Sequence, residues 1–287
     1  MLKQKHKHMK KIICFTIIVI SIFACTEKID IELDDTYTRL VVEAYITDEA
    51  KNHIVKLTKT SDYFYNKPAP VVEGAKITIA DGQNILNLTE TQPGIYKTEK
   101  IAGEIGKTYT LNIELLEEIN GHKNFTAMDK LMPVGIIDSI GIEYIDSWEV
   151  WEIRLYANEP PTSDFYMFNW MKNNILITDT IDEVNVSDDK FFNGSYSNGV
   201  GVGWFEEERE DENLHQGDTV TLIMSTITEE YADFVWEIQA ETGYQSPLFS
   251  SPQANVSSNI SNGALGYFAA YPKRYSSTVV GNQVLKK

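Results

Sequence analysis

Side chains that could do chemistry are few in this chain. Two cysteines occur in 287 residues, Cys14 and Cys25. Beyond residue 25 the histidines are His53, His122 and His215, never spaced as HxH or HExxH, so a zinc site is not expected. The acidic stretch SDDKFFNG (187–194) lacks the alternating oxygen ligands of a calcium loop, and EEEREDE (206–212) is expected to be a solvated loop. No GxSxG elbow, Walker A loop or GxGxxG follows a strand-like run. Carboxylates abound, but a glycosidase pair depends on distance in space, which spacing along the chain does not give. The expectation is therefore no catalytic residue, no metal, no cofactor and no enzyme activity. A carbohydrate-active hydrolase using unassigned carboxylates is retained as an alternative.

The chemistry that remains belongs to Cys25. Lys10 and Lys11 precede Ile12–Ala24, a mostly Ile, Val and Phe run too short to span a bilayer, and Ala24 supplies a small residue at its end. Met9 would start a more ordinary signal than Met1 does. A signal ending at Ala-Cys resembles the bacterial lipobox, in which the cysteine thiol receives a diacylglycerol and the new amine is acylated. Ile22 and Ala24 fit that pattern; Phe23 is an unusual member of it. The alternative is an ordinary signal peptide (1–24) with a chance cysteine. Two or more acyl chains hold a protein firmly on a membrane. With Cys25 modified, no thiol is left for a disulfide or a nucleophile.

Those groups need elements to position them. The chain is 43% hydrophobic and 11% aromatic, enough for a packed core. Its net charge is −17; residues 1–24 carry five lysines and no acid, so the chain from Cys25 on stands at −22. That charge argues against nucleic acid and against docking on anionic lipid. Residues 25–37 form the modified cysteine and an acidic tether. From residue 38 to 132, seven short runs rich in Val, Ile, Thr and Tyr, separated by turns such as Asp81-Gly82, Pro93-Gly94 and Asn120-Gly121, predict an N-terminal β-sandwich. Pro133 and Gly135 suggest a junction. Residues 133–287 predict a second β-rich domain, a sandwich or barrel-like, with one amphipathic helix near 227–242. In WEIRLYA (151–157) alternate residues share one apolar face, whereas DFYMFNW (164–170) is apolar on both and should be covered on both. Thr226 with Glu229 suggests a capping box for the helix, and Gly243 its C-terminal cap. The last two runs, 263–271 and 274–280, suggest a closing pair of strands.

Three aromatic groups are candidates for recognition. Tyr63, Phe64 and Tyr65 lie in a row before a proline loop; alternation buries one face only, so at least one ring is expected at the surface, either capping the sandwich or meeting a ligand. Trp236 falls on the back of the helix and needs cover from the loop 244–252 or from a partner. The small-residue loop 251–268 enters an aromatic strand bearing Tyr267 and Phe268, and Gly263 and Gly266 permit tight turns or close backbone approach. The loop is either plain connection or docking site. Ser139, Thr180 and Thr219 each sit in a three-residue Asp-Ser/Thr-Ile/Val pattern that resembles the O-glycosylation sequence of exported Bacteroidota proteins.

The segments RLVVEAYIT (39–47), SDYFYNKPAPVVEGA (61–75), GIYKTEKIAGEIGKTYTLNIE (94–114) and SNISNGALGYFAAY (258–271) together resemble the Bacteroidota outer-membrane lipoproteins grouped as domain of unknown function 4249. The resemblance spans nearly the whole chain after Cys25 and transfers no catalytic residue. It implies an immunoglobulin-like or transthyretin-like first sandwich, an outer-membrane location through the Cys25 anchor, and association with a TonB-dependent transporter in nutrient uptake. The acidic residues Glu27, Asp30, Glu32, Asp34 and Asp35 match the kind of surface-export signal used in that phylum, so the outer face is expected over the periplasmic one. The alternative is a structural or adhesive envelope module without a small ligand.

Overall fold

The structure, a computed structural model, describes residues 38–61, 68–243 and 256–281. Among the described residues it is mostly β, with several sheets, none closed into a barrel, and one helix. Tyr37–Lys287 make one compact unit. Among the described residues no helix is long and apolar enough to cross a membrane.

The first half folds as two facing sheets. Strands β1 (Leu40–Thr47), β2 (Ile54–Lys59), β3 (Lys76–Ala80), β4 (Ile85–Asn87), β5 (Thr89–Gln92), β6 (Ile95–Lys97), β7 (Thr108–Ile119) and β8 (His122–Lys130) follow in order. One sheet includes β1-β2-β6-β5, the other runs β4-β3-β7-β8. Alternation places Val42, Ile46, Val55, Leu57, Ile77, Ile79, Leu111 and Phe125 in the core between them. The β7–β8 hairpin turns at Asn120 and Gly121, both at positive φ (50° and 75°), as a two-residue turn requires. The run at 84–90 forms two strands: the backbone crosses at Leu88, and β4 and β5 join different sheets.

The second half adds β9 (Ile136–Ile145), β10 (Val150–Asn158), β11 (Phe165–Lys172), β12 (Ile175–Leu176), β13 (Asn185–Asp188), β14 (Val200–Glu206), β15 (Thr219–Ile227), the helix α1 (Glu229–Thr242), β16 (Leu265–Tyr271) and β17 (Arg274–Val279). The three-stranded sheet β14-β10-β9 and the sheet β12-β11-β15-β17, to which β13 adds beside β11, share a core of Trp151, Ile153, Leu155, Phe168, Trp170, Leu222 and Met224. The β10 face is the one its alternation predicts. β11 is covered on both sides: Tyr166, Phe168 and Trp170 enter that core, while Met167 meets Phe234 and Val235 of α1 in a separate cluster.

The last two strands do not pair with each other. β16 lies parallel to β1 and belongs to the first sandwich, whereas β17 is antiparallel to β15 in the second. Phe268 and Ala270 point into the first core; Tyr267, Ala269 and Tyr271 point at α1. The sequence boundary at 132/133 marks where the chain leaves the first sandwich, and β16 carries it back.

The helix start also differs from expectation. Thr226 stays in β15, paired with Tyr166, and Thr228 is the N-cap residue. Its hydroxyl donates to Asp129 Oδ1 at 3.0 Å and makes no capping bond to the helix amides. Gly243 ends the helix in extended backbone (φ −63°), its N–H bonding Gln239 O, rather than in the left-handed cap.

Candidate functional site

Two features of the second sandwich bring polar chemistry together. The first is an open cleft of about 310 Å³ where β11 and β14 meet the 177–185 segment. Gly203 of β14 makes it possible: a Cβ there would lie 2.7 Å from the Trp170 ring, so only glycine lets that indole lie against the strand. Trp170 is buried, packs on Phe205 at 6.4 Å and on Trp204 at 6.3 Å, and its Nε1 finds no acceptor among the described residues. Trp204, the next residue along β14, is 48% exposed at the mouth. Arg209 closes the other side, bonded to Glu212 Oε1 at 2.7 Å and reaching Glu183 Oε1 at 3.4 Å. Burial pushes the Glu212 carboxyl up, against the Glu206 amide and the Arg209 guanidinium, which hold it down. Glu183 and Glu212 are thus both tied to Arg209. The cleft offers an aromatic face and a charged rim, a combination suited to recognition.

The second feature is a pocket of three carboxylates. Glu159 follows β10, Asp164 precedes β11 and Asp189 follows β13. The Pro160-Pro161 turn and the 189–196 loop are zipped together: Glu159 N–H donates to Ser195 O (3.0 Å), Gly194 N–H to Pro160 O (3.2 Å), and Asp189 N–H to Asp164 O (3.2 Å). One oxygen from each carboxylate lies within 4.8 Å of the others. Asp164 and Asp189 are buried and Glu159 is half-buried. Asp164 accepts from the Thr162 hydroxyl and Glu159 from the Tyr166 hydroxyl. Neither oxygen of Asp189 has a hydrogen-bond partner among the described residues. Burial raises the Glu159 carboxyl and the Asp189 and Asp164 charges add to it, with only the Tyr166 hydroxyl opposing. Burial and the neighbouring Glu159 carboxylate push the Tyr166 phenol up as well. At an effective dielectric of about 20, two like charges some 4–5 Å apart repel by roughly 4 kcal/mol.

Sequence reasoning passed over this pocket. The 187–194 stretch contributes Asp189 alone, and the other two ligand candidates come from the far side of β11 and β12. The only signal along the chain is that all three acids sit at strand ends.

The residues singled out from sequence are scattered. Tyr63, Phe64, Tyr65 and Cys25 lie outside the described residues. Tyr267 and Phe268 are core residues, 7% and 0% exposed, and offer no contact surface; β16 is sandwiched between the first core and α1, so neither of its faces is free. Trp236 is half-buried, edge-on to Phe165 at 6.1 Å, with its indole N–H donating to Val186 O at 3.2 Å; β11 and β13 supply its cover. Ser139 and Thr180 are exposed and Thr219 is half-buried at the start of β15. His53 is a core histidine, Nε2 donating to Ile101 O at 2.9 Å. The 258–262 loop covers the edge of β8: Asn259 Nδ2 donates to Met128 O, Ser261 Oγ accepts from Thr126 N–H, and Asn262 Nδ2 donates to Asn124 O.

Fold and sites together define a mostly-β protein of facing sheets with one covering helix, an aromatic cleft and an oxygen-only carboxylate pocket. The chain belongs to the family described as "Domain of unknown function (DUF4249)", whose model matches residues 26–276. The search of curated proteins found no match. Among solved structures the chain is similar to the Yersinia pseudotuberculosis adhesin InvE, at 15% identity and a TM-score of 0.21, covering 67% of this chain and 55% of that one. A likeness of that size carries no argument.

Proposed function

We propose that the protein is an outer-membrane lipoprotein, anchored through Cys25 and facing the cell surface. In that role it is a non-enzymatic binding partner of a TonB-dependent transporter in nutrient uptake. The observation that carries the binding role is the Trp170–Trp204 cleft. Trp204 presents half its surface to solvent where its neighbour Phe205 is fully buried. Glu183 and Glu212 are held by Arg209 rather than free for proton transfer. The Ala24-Cys25 signal and the acidic tether support the location.

A tagged full-length protein recovered from gently solubilised outer membrane tests this reading. The expected result is a stoichiometric β-barrel transporter with the wild type, and at least a several-fold loss of it with Trp204→Ala at unchanged melting temperature. Recovery of the lipoprotein alone would sink the transporter partnership and favour the structural or adhesive alternative. Hydrolysis of a glycan by the purified protein would return the carboxylates to catalysis.

A further inference from the structure

We propose that Glu159, Asp164 and Asp189 form a binding site for one hard divalent cation, calcium before magnesium. The three carboxylates converge from three different strand ends to within 4.8 Å. None of the three forms an ion pair among the described residues; Lys190, the nearest lysine in sequence to Asp189, is paired with Asp188 instead. The decisive atom pair is on Asp189. Asp189 is 3% exposed, and both carboxylate oxygens lack a hydrogen-bond partner among the described residues. A buried carboxylate is ordinarily satisfied by donors or by a countercharge. Beside it lie two further carboxylates, each already engaged with a hydroxyl of its own, Asp164 with Thr162 and Glu159 with Tyr166. A cation supplies what the site lacks.

The donor set selects the class of ion. It contains oxygen alone, with no imidazole or thiolate, which argues for a hard cation over zinc or copper. Three protein carboxylates in an irregular loop pocket suit the larger and more tolerant calcium coordination sphere. Magnesium keeps most of its waters and asks for a near-ideal octahedron. The ion would staple the 158–164 connection to the 189–196 loop, which are otherwise joined by three backbone bonds and the Asn158–Tyr196 bridge. Phe191, 90% exposed, and Tyr196 ride on that loop, so cation occupancy would fix the presentation of two surface aromatics. The site stands apart from the Trp170–Trp204 cleft and does not depend on the transporter reading.

The test is titration of the chelator-treated full-length protein with calcium and with magnesium, followed by calorimetry and thermal unfolding. One site per chain is expected, with a rise in melting temperature that saturates and affinity for calcium at least ten-fold above that for magnesium. Asp189→Asn should weaken calcium binding at least ten-fold while leaving the metal-free protein no less stable than the wild type, because it removes a buried like charge. Glu159→Gln, at the half-buried position, is the second variant and should weaken calcium in the same direction. Terbium as a calcium probe should show emission sensitised through Tyr166, and lose it in Tyr166→Phe with Asp189→Asn. No heat and no shift in melting temperature at about 10 mM calcium, well above the weak end of extracellular calcium modules, would overturn the site. So would weak multiple binding that both variants leave unchanged, since that is the behaviour of an acidic surface.

Discussion

Asp129 is a single side chain that ties β8, β16 and the head of α1 together. From the end of β8 it accepts the Ala270 N–H of β16 at 2.7 Å, the Lys130 N–H at 2.9 Å and the Thr228 hydroxyl at the head of α1 at 3.0 Å. Burial nonetheless raises its carboxyl from 3.8 to about 6. Between those values the folded protein holds a proton that the unfolded chain has released. The stability Asp129 contributes is therefore fully present below pH 3.8 and lost as pH rises through about 6. His53 acts in the opposite sense: burial lowers its pKa below 6.5, so its contribution is lost as pH falls below 6.5. Comparing wild type with Asp129→Ala isolates the first effect. The variant should be less stable by about 1–3 kcal/mol at pH 7, chiefly because the Ala270 N–H is stranded. The gap should widen as pH is lowered from 7 to 4, read as denaturant midpoints across that range. A gap that narrows would reverse the assignment.

At the scale of elements, β16 is the strand whose placement explains its composition. It needs apolar residues on both faces because the first core lies on one side and α1 on the other. Gly266 has φ +88°, and a Cβ there would sit 2.0 Å from Val42 O in the paired strand β1. Gly263, at φ +70°, has open space around it. Gly266→Ala should cost about 3 kcal/mol or more, from strain and overlap together, and Gly263→Ala about 1–2 kcal/mol from strain alone. Thermal or urea unfolding of the pair checks the difference; equal losses would mean that β1 and β16 do not approach so closely. The Ser and Asn residues of 258–262 have an equally local reason. They occupy the backbone groups of β8, an edge strand that would otherwise be free to pair with another chain.

For the whole molecule, the consequence is interdependence. The first sandwich draws Phe268 and Ala270 from residues more than 130 positions beyond its other strands, and β16 in turn leads directly into β17 of the second. A fragment spanning 38–132 should therefore lack a closed core and fail to unfold cooperatively. Tyr37–Lys287 should unfold in a single transition, with calorimetric and van't Hoff enthalpies agreeing. A fragment that melts cooperatively on its own would show that β16 is dispensable to the first core.

Apolar periodicity, turn residues and helix-end signals determined what they could reach locally: the strand-rich character, the Asn120-Gly121 hairpin, the buried face of β10, the double cover of β11 and the existence of one amphipathic helix near 227–242. The family resemblance rested on the order of such segments, and the family model bears it out. Periodicity fixes which face of a strand is apolar and says nothing of which strand lies beside it. Hence the partners of β16 and β17, the crossing at Leu88, the diversion of Thr228 to Asp129, and the covered state of Trp236, Tyr267 and Phe268 were decided only by tertiary structure. The carboxylate pocket belongs to the same class. Its three acids are 5 to 30 positions apart, each unremarkable at a strand end, and only the packing of β11 between its neighbours brings their oxygens within reach of one ion.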